Sequence, residues 1–595
     1  MKLLLSVIVI ALFASVASGQ VPNYPQNYFR WPLNLRPEIV ANMGELRSNH
    51  WHMGLDMRTN QQVNHQVFAA AEGYIAYIGI RPLSFGRFII INHPNGLSTL
   101  YAHLNDFAPE IERFITDYQY QQRSWATELT LDPGRFPVTK GAFIAYSGTT
   151  GGSQGPHVHF EIRETSTGKC LNPLMFGFPL ADDVRPVFQK LAIYDRTQSI
   201  YASPPRTITT KNTDSGYIVP GTPVVRTRLS KLSFGIQAFD RMTGSTNQDG
   251  IYSASLYVDG KHITGFVIDS ISYDETGYMN AHIDYPTRIG GGAYIQHLSK
   301  MPGDRTRIYR GEGDGVIELA DTLPRAVRIE IRDAAQNISV LNFILQREQE
   351  VAVAKRTFPE GIIIPGHPVH LHLKDFELDA TSIAVYDTVN LQYDRLEAMP
   401  AGAISYAHVV NSTLIPVHDT VQVRLLVNRP LTTAEQGKII IQRISGKGKS
   451  TRAARHDRGW AVAPFGDFGK YQAFIDQTPP TINGLGKGDT VNLSPVNRIV
   501  FTPTDNFGIA GFSAELNGQW LRFTNDKGRS WIYEFDERCP YGVHELKVTV
   551  TDLAGNAITK SWWFKRYPYT PPPKKKVTKK KKTGTKAKTP VRKKK

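Results

Sequence analysis

Cysteine is scarce in this chain of 595 residues, which contains only Cys170 and Cys539. The two cysteines fall in segments that we predict to be different domains, so the sequence argues against a framework of disulfide bonds. Thiolate ligands are equally scarce. Any metal ion must therefore be held by histidine and carboxylate side chains.

Long apolar runs are also lacking. The apolar run at residues 3–16 is shorter than the roughly 20 residues that are needed to span a bilayer. It follows a basic start and precedes the small residues 17–19, the pattern of a secretory signal peptide. No cysteine follows that could accept a lipid. We therefore expect a signal peptide at residues 1–19, no transmembrane anchor, and an exported protein in the periplasm or cell envelope, or secreted.

Acidic residues are missing from the C-terminal end, although the whole chain has a formal net charge of +16. Residues 574–595 contain 13 of the 69 Lys and Arg residues, which leaves 56 basic and 53 acidic residues elsewhere. A tail of this composition cannot bury a core and is expected to be disordered. In an exported protein its candidate partners are anionic envelope polymers and lipid head groups rather than nucleic acid. A solvated tail without a partner is the alternative.

The remainder is predicted to be mainly β, because helical periodicities are few and Gly, Pro and Tyr are frequent. The length suggests roughly four domains. We predict, in order, a signal peptide at 1–19, a histidine-rich domain at 20–185, an Ig-like β-sandwich at 186–350, a β-rich domain at 351–476, a second Ig-like β-sandwich at 477–567, and a disordered Lys-rich tail at 568–595.

An internal repeat underlies the two predicted sandwiches. Residues 250–260 resemble residues 508–518, and residues 327–337 match residues 546–556 in the same order. The second pair alternates apolar and polar residues and closes with an Asp-x-Ala-x-Asn turn, as expected for antiparallel strands. A duplicated domain is the simplest interpretation.

The histidine-rich domain contains a His-x-His strand that follows a glycine-rich approach at residues 148–156. Alternation predicts that His157, His159 and Glu161 share one face of this strand while the residues between them face a core. Two imidazoles on one face suggest a metal, although such a pair alone is a weak signal. Glu161 could support the ligands or simply be solvated.

An earlier motif, His-x-Gly-x-Asp, supplies two further ligand candidates, His52 and Asp56. With His159 they form a set of two imidazoles and one carboxylate, which suits a catalytic zinc ion with an open fourth position. Water at such an ion has its pKa lowered to about 7. His157 and His103 then remain as candidates for proton transfer.

These motifs together resemble the lysostaphin/LytM-type zinc metallopeptidases, which hydrolyse peptide bonds in bacterial peptidoglycan. The resemblance covers His-x-Gly-x-Asp, Tyr-x-His-Leu after an Asn-Gly hairpin, and the Gly-Pro-His-x-His-Phe-Glu strand, over about residues 45–175. It implies a small antiparallel β domain with His52, Asp56 and His159 as Zn²⁺ ligands. It further implies His157 as general base and His103 as the residue that orients water or stabilises the oxyanion.

The long segment between His103 and Gly148 departs from a compact core of this type, and we predict a helical or irregular insertion at residues 108–131. Histidines outside the motifs have plainer interpretations. His50 lies outside the His-x-Gly-x-Asp spacing, and His93 precedes a turn. His370 and His372 also share a strand face, but no His/Asp motif accompanies them in the sequence of their domain.

Two other functions remain open on the sequence. The first is a non-catalytic scaffold or activator of other murein hydrolases that docks on the cell wall. The second is a secreted protease that acts on proteins with the same zinc chemistry. The complete ligand set favours a zinc endopeptidase acting on peptidoglycan.

Overall fold

The structure is a computed structural model that describes residues 24–221, 224–348, 361–446 and 448–569. It is mainly β, with 46% strand and 6% helix, as the composition predicts. The predicted signal peptide and residues 570–595 of the predicted tail lie outside the described residues. Among the helices that are described, none is both long and apolar enough to cross a membrane.

The N-terminal domain is built on an antiparallel sheet in the order β1-β2-β10-β6-β5-β4-β7, with β3 and β9 attached through β6, β8 beside β4, and β11 beside β10. Val158, Phe160 and Ile162 of the His-x-His strand are fully buried, as alternation predicts. The strands are β1 (Ile39–Ala41), β2 (Leu55–Arg58), β3 (Gln66–Phe68), β4 (Gly73–Ile80), β5 (Arg87–Asn92), β6 (Leu97–Phe107), β7 (Thr127–Thr130), β8 (Pro137–Val138), β9 (Phe143–Ser147), β10 (His157–Glu164) and β11 (Cys170–Leu171).

The insertion after β6 folds as a helix, α1 (Pro109–Gln122), followed by strand β7, which pairs with β4. Pro109 starts the helix, where its missing N–H costs nothing. Ile111 and Ile115 are buried and join the core of the N-terminal domain. The helical interpretation of this insertion is therefore correct, and the segment is part of the folded domain.

The second domain consists of two packed sheets around one core. One sheet contains Arg206–Thr209, Val187–Asp195, Lys231–Phe239, Gln296–His297 and Ile317–Glu318, and the other contains Lys211–Thr213, Gly216–Ile218, Val224–Thr227, Ile338–Arg347, Arg325–Arg332, Ser253–Val258, Lys261–Val267 and Tyr309–Arg310. A strand Ser270–Ile271 extends the N-terminal sheet by pairing with β11. The Ig-like assignment stays a prediction.

The third domain also has two main sheets on a shared core. Its strands are Ile362–Ile363, Val369–His372, Phe376–Ala380, Val389–Asn390, Tyr393–Leu396, Ala407–Val410, Pro416–Leu426, Ile439–Ser445, Gly448–Ala453, Arg455–Asp457, Trp460–Asp467 and Gly469–Ile475. The fourth domain contains Thr490–Asn492, Arg498–Phe501, Ile509–Leu516, Gln519–Trp520, Trp531–Glu534, Gly542–Asp552 and Ala557–Arg566. The remaining short helices are Pro173–Phe176, Thr276–Tyr278, Met279–His282, Tyr285–Ile289 and Thr433–Gln436.

The repeat found in the sequence corresponds to the same strand pair in the second and fourth domains. Leu256 lies opposite Ile329 in one copy, and the residues that align with them, Ala514 and Val548, lie opposite each other in the other copy. In both domains the last strand also pairs in parallel with a strand from the start of the domain. Since the register agrees residue by residue, the two domains share one folding pattern.

Candidate functional site

Three neighbouring strands of the N-terminal sheet place the histidines of the sequence motifs side by side. His159 on β10 lies opposite Asp56 on β2 and opposite Ala102 on β6. His52 precedes β2, and His103 follows Ala102 on β6. The register of these two strand pairs therefore gathers residues that are up to 107 positions apart in the chain.

Gly54 explains the glycine of the His-x-Gly-x-Asp motif. A Cβ atom at this position would lie 2.2 Å from the carbonyl oxygen of Phe160 and 2.8 Å from Cγ of Glu161. Both residues belong to β10, so the missing side chain lets β10 approach the start of β2. Glycine is therefore required at position 54 because the backbone of β10 passes close to it.

His52, Asp56 and His159 meet at one buried point. Nε2 of His52 lies 2.9 Å from Oδ1 of Asp56 and 2.9 Å from Nδ1 of His159, and Nδ1 of His159 lies 3.0 Å from Oδ1 of Asp56. All three residues are less than a tenth exposed. The predicted ligand set is thus assembled in space, within reach of a single ion.

The outer ring nitrogens of both histidines in this cluster are already engaged. Nδ1 of His52 donates to the carbonyl oxygen of Asn42 at 2.7 Å, and Nε2 of His159 donates to Oε1 of Glu161 at 2.9 Å. In these tautomers the inner nitrogens carry lone pairs that face each other and the carboxylate of Asp56. When both rings are neutral, three acceptor atoms lie at hydrogen-bond distance with no donor between them, an arrangement that suits a bound cation.

The same contacts shift the pKa values of the cluster. Burial lowers the pKa of His52. Burial opposes ionisation of Asp56, but the charge of His52, followed by polar contacts with the rings of His157 and His159, holds its pKa well below its usual range. Burial likewise disfavours the charged form of His159, yet its carboxylate partners raise its pKa to about 9. Asp56 is therefore an anion, and a proton on His159 supplies a positive charge beside it.

His103 and His157 lie beside this cluster with ring centroids 4.7 Å apart. Nδ1 of His157 donates to the carbonyl oxygen of Gly155 at 2.8 Å, and Nδ1 of His103 donates to that of Thr150 at 2.9 Å. Each ring is thereby left with Nε2 as an acceptor, and Nε2 of His157 lies 3.3 Å from Oδ1 of Asp56. Burial, followed by the charge of His157, lowers the pKa of His103 to about 3, so this ring is neutral.

The backbone of His103 has a φ of 60°, in the left-handed region that non-glycine residues seldom occupy. Such a conformation costs about 1–3 kcal/mol and is kept only where the surroundings enforce it. Here the N–H of His103 bonds the carbonyl oxygen of Phe85 while its ring bonds Thr150. The strained residue is one of the four histidines that face the site.

Glu161 supports His159 from behind and is completely buried. It accepts hydrogen bonds from His159, from Nε of Arg163 at 2.6 Å, from the thiol of Cys170 and from the hydroxyl of Tyr273. Burial opposes its ionisation, but the charge of Arg163 dominates the remaining contacts and lowers its pKa to about 2. Of the two interpretations of Glu161, the supporting one fits this geometry.

The second and fourth domains both reach this region, which the sequence did not predict. Tyr273 comes from the second domain. From the fourth, Nζ of Lys527 donates to the carbonyl oxygens of Thr149, Gly151 and Ser153 at 2.5, 2.8 and 3.1 Å. The amide of Gly151 donates to Asp526, 375 positions away. These contacts hold residues 149–153, the loop whose Thr150 carbonyl orients His103.

The other histidines singled out in the sequence lie elsewhere. His50 is exposed and turned to a neighbouring backbone carbonyl, and His93 is buried with both ring nitrogens hydrogen-bonded. His370 and His372 do have an acidic neighbour, Asp379, on the paired strand. Asp379 has no local signal in the sequence, because strand pairing, not a local motif, brings it to His370.

Comparison with known proteins matches residues 50–119 to the family model of peptidase family M23 and residues 366–476 to that of a Zu5-like domain. The first match includes His52, Asp56 and His103 and ends within α1, before His157 and His159. The N-terminal domain is of the lysostaphin/LytM metallopeptidase type. The resemblance drawn from the histidine motifs is thereby confirmed.

Three curated relatives are similar over the N-terminal part of this chain. The cell division protein DipM of Caulobacter vibrioides is 30% identical over 141 residues, which are 24% of this chain and 19% of DipM. The DD-carboxypeptidase/endopeptidase Mpg of Neisseria meningitidis is 33% identical over 22% of this chain and 23% of Mpg. The murein hydrolase activator NlpD of Salmonella dublin is 28% identical over 27% and 34%. The chain thus spans about a fifth to a third of the length of these relatives.

Replacing Gly54 with Ala is expected to separate β10 from the start of β2, because its Cβ would overlap the carbonyl of Phe160. We expect a destabilisation of about 1–3 kcal/mol for such overpacking and a loss of zinc binding. Amide hydrogen exchange of β2 and β10, together with the zinc content of the purified protein, measures both effects. Gly134→Ala is the control, since a Cβ there meets nothing within 4 Å. Unchanged exchange and zinc content in Gly54→Ala would contradict this account.

Replacing Lys527 with Ala is expected to loosen the loop at residues 149–153, because three carbonyl contacts are lost. These partly exposed contacts are expected to stabilise the loop by about 1 kcal/mol. Their loss should therefore raise the amide exchange rate at Gly151 and Gly152 roughly fivefold. Hydrogen-exchange mass spectrometry measures the change. Arg529→Ala removes an exposed cation from the same turn and serves as control. Equal exchange in both variants would show that the lysine does not hold the loop.

Proposed function

We propose that the N-terminal domain is a zinc-dependent endopeptidase that hydrolyses peptide bonds in bacterial peptidoglycan, in its stem peptides or cross-bridges. The observation that carries this proposal is the buried convergence of three acceptor atoms from His52, Asp56 and His159. Two imidazoles and one carboxylate suit Zn²⁺ in a catalytic site with an open position. The match to peptidase family M23 supports the same conclusion.

Zinc held by His52, Asp56 and His159 would supply a Lewis acid, able to polarise a substrate carbonyl and to lower the pKa of bound water to about 7. The protein's own residues move the proton. His157 acts as the general base through Nε2, because its Nδ1–H is engaged with the carbonyl of Gly155. After the peptide bond breaks, the same nitrogen returns the proton to the leaving amine.

His103 orients the attacking water. With its Nδ1–H on the carbonyl of Thr150 and a pKa lowered to about 3, the neutral ring presents Nε2 as an acceptor. It accepts one proton of the water in a hydrogen bond while His157 removes the other. An acceptor cannot stabilise an oxyanion by donation, so the tautomer favours the orienting role over the oxyanion role that the resemblance also allowed.

The polymer and the location are inferred from the relatives. One relative is named as an endopeptidase and another as a murein hydrolase activator, and both names fit a substrate in the cell wall. Export, expected from the N-terminal pattern at residues 1–19, would place the enzyme in the periplasm or envelope. The Lys-rich tail would add an attraction to anionic envelope polymers.

A non-catalytic activator of other murein hydrolases is the second candidate, favoured by the similarity to NlpD. All five residues that catalysis requires are present and converge in this chain, which supports the enzyme instead. A secreted protease acting on proteins would use the same residues. Casein and purified peptidoglycan, compared as substrates, distinguish that possibility.

Two substitutions separate metal binding from chemistry. His159→Ala is expected to lose both zinc and hydrolysis, whereas His103→Ala is expected to keep zinc and to lose about 100- to 10,000-fold in rate, the usual range for a proton-handling residue. Zinc is measured by atomic emission, and hydrolysis by mass spectrometry of fragments released from purified peptidoglycan. His50→Ala, an exposed histidine two residues before His52, is the control.

The zinc-loaded wild-type protein could release no peptide fragments itself and yet increase their release by a second murein hydrolase. That result would favour the activator hypothesis over the enzyme hypothesis. A fully active His159→Ala protein without zinc would overturn both the ligand assignment and the proposed chemistry.

Glu161→Gln is expected to weaken zinc binding by about 10- to 100-fold, as for other partners of ligand histidines. The amide keeps the size of the side chain but loses the charge that Arg163 and His159 both contact. Competition with a zinc-binding dye measures the affinity. Glu164→Gln, on the same strand but away from the ligands, is the control, and equal affinities in the two variants would refute a supporting role for Glu161.

A further inference from the structure

Two groups of three aspartates occupy the same place in the two repeated domains. Asp182, Asp240 and Asp333 form the first group, and each offers a carboxylate oxygen within 4.8 Å of the others. The second group, which meets the same distance limit, consists of Asp476, Asp505 and Asp552. Neither group contains a histidine or lies in the peptidase site.

The members correspond by position in the fold. Asp333 and Asp552 begin the repeated Asp-x-Ala-x-Asn turn at the end of the strands Arg325–Arg332 and Gly542–Asp552. Asp182 and Asp476 lie in the segments that lead into the two domains. Asp240 and Asp505 follow the strands Lys231–Phe239 and Arg498–Phe501. Each group therefore joins a linker to two turns of the domain that follows it.

The asparagine that ends each turn makes the same hydrogen bonds in both copies. Nδ2 of Asn337 donates to Oδ2 of Asp333 at 2.7 Å and to the backbone carbonyl of Asp182 at 3.2 Å. Nδ2 of Asn556 donates to Oδ2 of Asp552 at 2.8 Å and to the backbone carbonyl of Asp476 at 3.0 Å. Two domains of different sequence thus form the same arrangement of linker and turn.

Both groups contain a deeply buried carboxylate oxygen that lacks a partner. Asp240 is 2% exposed and its Oδ1 makes no hydrogen bond, and Asp476 is 1% exposed with its Oδ2 in the same condition. Oδ2 of Asp505 is also buried and unpaired. Within the described part of the chain, no ion pair joins a Lys, Arg or His side chain to any of the six carboxylates. Unpaired buried charges of one sign are costly, so the pattern calls for a positive ligand.

Burial and the proximity of the carboxylates to one another raise pKa values in both groups. Burial, followed by the charge of Asp182, raises the pKa of Asp240 to about 8. Burial raises the pKa of Asp182 to about 6 and also raises the pKa of Asp476, to which the charges of Asp505 and Asp552 contribute. Without a cation, the carboxylates of each group therefore resist ionising together.

We propose that each group binds one calcium ion, which fastens the linker to the domain that follows it. The ligands are all carboxylate oxygens, which hard cations prefer. Zinc sites, in contrast, commonly include imidazole nitrogens. A separation of up to 4.8 Å between ligand oxygens fits an ion about 2.3–2.6 Å from each of them. The ligands come from separate loops, and Ca²⁺ tolerates such irregular sets better than Mg²⁺, which demands a near-ideal octahedron.

The two sites lie at junctions that lead into the two domains that contact the peptidase site. Asp182 belongs to the segment between the peptidase domain and the second domain, whose Tyr273 contacts Glu161. Asp476 belongs to the segment before the fourth domain, whose Lys527 holds the loop beside His103. Calcium at these junctions would stiffen the attachment of the two domains that touch the peptidase site. The sites themselves do not depend on the proposed peptidase activity.

The test uses the full chain, stripped with EDTA, reloaded with one equivalent of zinc and titrated with CaCl₂. We expect two calcium ions per chain by calorimetry and a rise in the unfolding temperature of a few degrees. Asp240→Asn and Asp505→Asn should each remove one equivalent. Each should also raise the melting temperature measured without calcium at about pH 9, above the pKa of about 8 of Asp240, because a repelling charge is removed. Asp489→Asn, an exposed aspartate of the fourth domain, should change nothing.

Absence of calcium binding, or two equivalents retained in both Asn variants, would overturn the proposal. Saturation by MgCl₂ with no response to CaCl₂ would overturn the choice of ion. If Asp240→Asn does not fold, Asp182→Asn in the half-buried linker replaces it for the first site, with the same loss of one equivalent expected. This test does not measure peptidoglycan hydrolysis, so an absence of calcium binding would not bear on the proposed function. Conversely, a protein that binds two calcium ions but does not hydrolyse peptidoglycan would still support the calcium sites.

Discussion

The candidate site depends on one structural constraint, the close pairing of β10 with β2 on one side and with β6 on the other. This pairing sets His159 opposite Asp56 and next to the strand that carries His103. Gly54 makes the approach possible, because any side chain there would overlap the carbonyl of Phe160. Once the three strands are in register, backbone carbonyls and Glu161 engage the outer ring nitrogens, and the inner nitrogens are left to converge with the carboxylate.

The residues proposed for this site could be named from the sequence because their chemistry is local. Spacing in His-x-Gly-x-Asp and alternation in the His-x-His strand determine which side chains share a face, and the resemblance to LytM-type peptidases paired the two motifs. The environment of Glu161 could not be predicted in this way. One of its hydrogen-bond donors is Tyr273, which is 112 positions away and in another domain, and no periodicity in β10 carries that information.

The same limit applies to the contact between the fourth domain and the loop at residues 149–153. Lys527 and Asp526 lie in an ordinary polar turn whose sequence indicates only exposure. Their partners are mainly backbone atoms of the loop, and backbone groups have no sequence signature. Because that loop orients His103, the fourth domain contributes to the geometry of the site from outside the segment that the family comparison covers, and the whole chain is the unit in which the site should be studied.

The repeated Asp-x-Ala-x-Asn turn has two roles that the sequence alone does not separate. Its local role is to stabilise the turn. The Asp side chain accepts a hydrogen bond from the backbone amide of the Asn, as both Asp333 and Asp552 do. A turn needs only that one carboxylate. The presence in each copy of two further aspartates from distant segments, one of them with a buried carboxylate oxygen that has no hydrogen-bond partner, exceeds what a turn requires. Since repulsion among two buried carboxylates and one half-buried carboxylate opposes folding, an arrangement built twice supports the proposed counter-ion.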